Sequence, residues 1–557
     1  MTLVRLAGGR IFDPTNKRRG DIADLYVRDG CIVENPGPGA KVDEMHDLAG
    51  KIVMAGGIDI HSHVGGGKVN LARGLMTSDH RDATLRRNGE WRSGSGHVTP
   101  STFAAGYRYA ELGYTAVFEP AMVPANARHT HAELADTPIV DKGCYVMLGN
   151  DDFLLRLLAA DTEQAVINDY VAWMMQATQA LAVKVVNPGG ISAFKFNARS
   201  LSFDSPSPFY GVTPRRIITA LARAVRELGV AHPLHVHCND LGVPGNLDTT
   251  LATVAAAEGV ALHLTHVQFH SYGREGDRKF SSGAAQIAAA VNSRPNISLD
   301  VGQIMFGQTV TASGDTMAQY RNHRLAHPNK WVCMDIECDG GCGVVPFRYR
   351  DRNFVNALQW MIGLELFLLV EDPWRIFLTT DHPNGAPFTA YPHLIRLLMD
   401  RSFRNDALKT LNRHAAAAST LAGITREYDL YEVAIMTRAG PARILGLRDR
   451  GHLGPGACAD ITVYTDQTDK QAMFERPDYV FKDGRLVARA GKLVANGWGS
   501  THVTRPAYDP AIERRLQDYF ERFMTVRMGN FRVADGEIED DGRSRLAVHP
   551  CDGPALP

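Results

Sequence analysis

The sequence predicts an α/β protein: a (β/α)8, TIM-like barrel with a small β-sandwich assembled from both ends of the chain. Three observations carry this. Between about residues 52 and 440, short runs that are apolar throughout alternate with amphipathic stretches, the pattern of a parallel sheet buried on both faces. Both ends of the chain instead hold short strand-like runs punctuated by Gly and Pro. Polar side chains able to do chemistry recur where the apolar runs stop, and a β/α barrel builds its active site at the C-terminal ends of its strands.

The elements follow in order. Residues 1–51 hold Leu3 to Ile11, Leu25 to Val27 and Cys31 to Val33, the first part of the small β-domain. The run Ile52 to Ile60 reads as one fully buried strand and ends in His61-Ser-His63. Further strands are expected over Leu181 to Val186, Pro233 to His237, Ala261 to Thr265 and Arg375 to Thr379. Pro214 to Leu228 and Leu251 to Glu258 carry apolar residues at i, i+3 and i+4, which predicts helices. Ala357 to Val370 is too short to span a bilayer and is interrupted by Gln359 and Glu365, so it reads as a buried helix. Residues 441–505 return to short strands (Ala459 to Tyr464, Tyr479 to Phe481, Arg485 to Ala488) and complete the β-sandwich. The extension 506–557 opens with a helical stretch, Ala511 to Met524. It ends in a polar, acidic segment, Glu537 to Asp541, expected to be mobile or laid against a partner.

At 557 residues the chain exceeds one small core. Lys plus Arg number 60 against 61 Asp plus Glu, so no net charge favours nucleic acid or an anionic membrane as a partner. The first residues lack the apolar core of a signal peptide. Eight cysteines are scattered without a disulfide framework, and Cys338-Asp-Gly-Gly-Cys342 reads as a reduced, Gly-rich loop. A cytoplasmic location is expected.

Residues two apart on a strand face the same way, so His61 and His63 can grip one metal ion from one side. Alone the pair is a weak signal, since two surface or core histidines are commoner. Lys184 lies inside an apolar run, where an unpaired ammonium is costly. It is either salt-bridged or converted by carbon dioxide to a carbamate able to bridge two metals. His237, with His235 one step earlier on the same face, closes another run; His266 and then His270 follow the next, and Asp381 closes the last. Taken together, His61, His63, Lys184, His237, His266 and Asp381 supply the nitrogen and carboxylate ligands a two-metal hydrolase needs.

These motifs resemble the amidohydrolase superfamily. Gly56-Gly-Ile-Asp-Ile-His-Ser-His63 is similar to its first-strand motif, Val236-His-Cys-Asn239 to its fifth and Thr380-Asp-His-Pro383 to its eighth. Pro441-Ala-Arg-Ile-Leu-Gly446 and Gly451-His-Leu-Gly-Pro-Gly456 are similar to its return into the β-sandwich. Three further segments narrow the likeness: Lys184-Val-Val-Asn-Pro-Gly-Gly190, Leu264-Thr-His-Val-Gln-Phe-His-Ser-Tyr-Gly273 and Thr379-Thr-Asp-His-Pro-Asn-Gly385. They resemble the amidohydrolase-type subunit of formylmethanofuran dehydrogenases, which is also the alpha subunit of bacterial formyltransferase/hydrolase complexes.

The resemblance implies two zinc ions, the first on His61 and His63, the second on His237 and His266, bridged by N6-carboxylated Lys184. It implies Asp381 as metal contact and acid/base. Lys195 is the alternative carboxylated lysine, and His270 the alternative to His266. The implied reaction is hydrolysis of the N-formyl group of formylmethanofuran, or its bacterial analogue, to formate and the free amine, in the one-carbon metabolism of methylotrophy. The implied partners are a formyltransferase subunit and one resembling the C subunit of formylmethanofuran dehydrogenase, together with the formylated carrier. Lys68, Asn70 and Arg348 are candidate substrate contacts, with salt bridges as the competing role for Lys68 and Arg348. Two other functions stay open: condensation of formate onto methanofuran within a dehydrogenase complex, and a stand-alone cyclic amidase of the hydantoinase type.

Overall fold

Eight parallel strands form a barrel in the computed structural model, which describes residues 2–195, 201–312, 344–539, 542 and 544–553. In order they are Gly57–Asp59, Tyr114–Met122, Asp141–Met147, Ala182–Val186, Leu234–His237, Leu262–Leu264, Ile297–Asp300 and Ile376–Phe377. Each pairs with its predecessor in parallel register. The ring closes just beyond the last strand, where Ser62 bridges His382 and the His63 N–H donates to the His382 carbonyl at 2.8 Å. These strands read as continuous apolar runs because both faces are buried; Val183, Val185, Leu262, Leu264, Ile297 and Leu299 are fully enclosed.

The helices between the strands follow from local signals. Pro214–Glu227 starts at Thr213, whose hydroxyl accepts the Arg216 N–H, and Pro214 stands where no intrahelical donor is needed. Its stripe of Ile217, Ile218, Leu221 and Val225 faces the core. Phe354–Leu369 is a buried helix, as its composition predicts. Its Glu365 is accommodated because Ser419 Oγ and the Thr420 N–H and hydroxyl all donate to Oε1 at 2.6–2.9 Å. Among the described residues no helix is long and apolar enough to cross a membrane.

The run Ile52 to Ile60 is not one strand. Lys51–Ala55 belongs to the small β-domain, antiparallel to Ile461–Thr465, and only Gly57–Asp59 enters the barrel. Gly56 and Gly57 make the crossing possible. A Cβ on Gly56 would fall 2.1 Å from Thr115 Oγ1, and one on Gly57 2.7 Å from the Tyr114 ring. The Gly56 N–H bonds to Asp460 in one sheet, the Gly57 N–H to Gly113 in the other. Unbroken hydrophobicity hides this change of partner, since both halves are buried.

The small domain is a nine-stranded mixed sheet built from both ends of the chain. It curls over a core that includes Leu6, Ile11, Val53, Ile461 and Val463. The Ile32 N–H donates to Ala457 at 2.7 Å and the Ala459 N–H to Gly30 at 2.8 Å, which brings the outermost strand back to the C-terminal segment.

The helical stretch that opens the final segment packs on the barrel. Ile512–Phe523 buries Ile512, Leu516 and Phe520, and the Phe531 ring stacks 5.9 Å from Trp173. Glu537 is bound by Arg128 at 2.6 Å; Asp540 and Asp541 lie outside the described residues. Thr501–Thr504, inside the stretch expected to complete the β-sandwich, pairs with the barrel's third strand at Lys142 and carries Leu546–His549 beside it. The Cys338 to Cys342 loop lies outside the described residues.

Candidate metal centre

Alternation along the strands aims one row of side chains into the mouth of the barrel. His61 and His63 leave the first strand and bring their Nε2 atoms to 3.0 and 3.2 Å from Asp381 Oδ1, just after the eighth. Glu119, in the second strand, supports this group: its Oε1 lies 2.8 Å from His63 Nδ1. Its Oε2 accepts the Val64 and Gly65 N–H groups at 2.8 and 3.2 Å. Glu119 is absent from the residues singled out in the sequence. The available signal was a carboxylate inside the apolar run Tyr114 to Met122.

A second group forms from the fifth and sixth strands. The His237 ring centroid lies 4.5 Å from that of His266 and 5.1 Å from that of His270, and one ligand nitrogen from each of the three falls within 4.8 Å of the others. His266 and His270 therefore both approach His237, and neither is set aside by the fold. Asp381 and His266 both have left-handed backbones, φ 50° and 36°. For residues with a Cβ that conformation is strained, and such strain gathers at functional sites.

Lys184 is buried in the fourth strand, within the electrostatic reach of both groups. Burial, and then the nearby Lys68 ammonium, push it down to about 8, against the pull of Asp381, Asp300 and Glu119. Burial acts to raise Asp381, but His266 and His61 outweigh it and hold the carboxyl well below its usual range, so it is ionised. Burial, with neighbouring imidazoles adding in the case of His237, pushes His237 and His266 well below the ordinary histidine value. Burial thus favours the neutral imidazole, the form that binds metal.

The donor set fits metal ions. Among the described residues, His266 Nδ1 and both ring nitrogens of His270 are buried without a hydrogen-bond partner, and His61 Nε2 and His63 Nε2 face only Asp381 Oδ1. Orphaned buried nitrogens carry a desolvation cost that coordination would remove. His61, His63 and Asp381 could hold one ion, and His237, His266 and His270 a second, with Lys184 in reach of both groups.

Asn70 is tied to Glu133 at 2.6 Å, and Arg348 is exposed on the hairpin that pairs Gly307–Ala312 with Val344–Tyr349. Lys68, on the helix Gly67–Leu75, is half-buried and opposes protonation of His63, Lys184 and His237. Lys195 ends the helix Gly190–Lys195, and its side chain lies outside the described residues.

A β/α barrel whose mouth gathers buried histidines, a lysine and an ionised aspartate has the architecture of a metal-dependent hydrolase. The amidohydrolase family model matches residues 44–488, and the chain belongs to that family. It is 43% identical over 544 residues to the FhcA chain of the formyltransferase/hydrolase complex Fhc of Methylorubrum extorquens, covering 97% of this chain and 98% of that one. It is 40% identical over 553 residues to protein FwdA of Methanocaldococcus jannaschii, covering 95% and 96%. A chain in the crystal structure of the Methylorubrum extorquens FhcABCD complex with methylofuran superposes with a TM-score of 0.91 at 41% identity, covering 99% of this chain and 100% of that one.

Proposed function

We propose that this chain hydrolyses the N-formyl group of a formylated methanofuran-type carrier, as the hydrolytic subunit of a formyltransferase/hydrolase complex in one-carbon metabolism. The observation that carries the reading is the pair of buried histidine groups flanking ionised Asp381 and Lys184. Similarity along almost the whole chain to a component of such a complex supports the substrate class and the partners. Two zinc ions would sit on His61 with His63 and on His237 with His266 or His270, bridged by Lys184 as its carbamate. Bound there, zinc supplies Lewis acidity and acidifies water to near neutrality.

The chain's own residues do the rest. Asp381, ionised and 3.0–3.2 Å from the His61 and His63 rings, takes the proton of the attacking water and returns it to the leaving amine. Glu119 fixes the His63 ring through Nδ1, leaving Nε2 for the ion. Lys184 becomes an anionic bridge only as the free amine reacts with carbon dioxide and releases a proton. Its lowered proton affinity favours that amine.

The test is formate release from the formylated carrier by the chain co-expressed with its partner subunits, with zinc content measured in parallel. Formate released in proportion to bound zinc is expected, and absence of formate from zinc-loaded complex rejects the reading. The similarity to FwdA supports a second reading, in which the same site condenses formate with the free carrier. Co-purification of a tungsten or molybdenum subunit would favour it.

A further inference from the structure

We infer that Asp300, at the upper end of the seventh strand, is a positioning residue that holds one histidine from each of the two groups; this rests on the metal-site reading above. Its carboxylate is fully buried. Oδ2 lies 3.5 Å from His61 Nδ1 and 3.1 Å from His263 Nε2, while Oδ1 accepts the main-chain N–H of His266 at 2.7 Å. One carboxylate therefore reaches His61 of the first group and His266 of the second.

Each contact does a separate job. His61 can offer its Nε2 lone pair to an ion only if its ring proton sits on Nδ1, and that proton needs an acceptor. Around Nδ1 stand His235 Nε2 at 2.9 Å, the Thr265 hydroxyl and Asp300. Imidazole and hydroxyl can donate or accept, whereas an ionised carboxylate only accepts. Asp300 thus sets the direction of the network, and a carboxylate behind a metal-binding imidazole also makes it a stronger ligand. At His266 the job is conformational. The Asp300 bond to its N–H braces a backbone held at the strained φ of 36°. Gly302, two residues beyond, supports the same turn: a Cβ there would come within 2.3 Å of His266 Cβ. His263, bonded through Nδ1 to Ser298 Oγ at 2.9 Å, holds the carboxylate from below.

The substitution Asp300→Asn separates the two jobs. The amide keeps an oxygen for the His266 N–H but turns an NH2 donor toward His61 and His263. Asp300→Ala removes both contacts. Zinc affinity is read by competition with a chromogenic chelator, and site geometry by the visible spectrum of the cobalt-loaded chain. In the wild-type chain two tightly held ions are expected. In Asp300→Asn one ion should remain tight, the other weaken by about 10–100-fold, and the cobalt spectrum change. In Asp300→Ala both should weaken. The His61 ring in the zinc-loaded wild-type chain, read by nitrogen-15 histidine spectra, is the measurement independent of any variant: an ion on Nε2 with the proton on Nδ1 is expected, and a proton on Nε2 overturns the inference. Two ions bound by Asp300→Asn with unchanged affinity and spectrum overturn it as well, leaving the metal reading intact. A wild-type chain that binds neither zinc nor cobalt overturns both.

Discussion

Replacing Asp381 by Asn tests the chemistry at its narrowest point. The carboxylate Oδ1 lies 3.0 Å from His61 Nε2 and 3.2 Å from His63 Nε2, and Asn384 Nδ2 donates to it at 2.8 Å. An amide of the same shape keeps an oxygen for Asn384, so the loop after the eighth strand keeps its fold. What is lost is the charge and the ability to accept a proton. Positioned acid/base catalysis is worth about 10²–10⁴ in rate, which is about 3–6 kcal/mol of barrier at ~1.4 kcal/mol per decade. We expect kcat for formate release to fall by at least about 100-fold, with KM changed by less than about threefold. Zinc should stay bound through the histidines and Lys184. The assay couples formate to an NAD-linked formate dehydrogenase and reads NADH; metal content and thermal melting run in parallel. A variant that is folded and zinc-loaded and turns over within about fivefold of wild type removes Asp381 from proton transfer.

Three other outcomes are expected. Lys184→Met removes a buried amine whose charge is costly, so the metal-free chain should melt at the same or a higher temperature, while bound zinc falls from two ions to at most one; two tight ions in that variant would exclude a bridging role. Zinc reloading of stripped wild-type chain should be faster with bicarbonate than in carbon-dioxide-free buffer, followed by metal content against time, and no difference would argue against the carbamate. Asp141, buried between Arg450 at 2.7 Å and Lys482 at 3.2 Å, opposes the upward push of burial with these cations and is held well below the carboxylate range. Its folded-state value lies below its unfolded one, so its stabilisation is complete at neutral pH and is lost as pH falls below about 4. Asp141→Asn should cost about 3 kcal/mol at pH 7 and flatten the acid limb of stability, measured as urea midpoints against pH.

The sequence by itself determined which residues could reach the mouth of the barrel. His61 and His63, His235 and His237, and Lys184 in its apolar run obey the two-residue alternation of a strand, a local rule that needs no knowledge of neighbours. The barrel itself was legible in the alternation of apolar runs and amphipathic helices. Only the tertiary structure decided which of these side chains meet. Glu119 and Asp300 each lie inside or at the end of an apolar run and become partners of His63 and of His61 and His266 only when the ring of strands closes. His270, on the loop after the sixth strand, joins His237 for the same reason. The split of Ile52 to Ile60 between two sheets was equally hidden, because burial in either leaves the same apolar pattern. Periodicity reports the direction a side chain faces; the pairing of strands far apart in sequence sets what it faces.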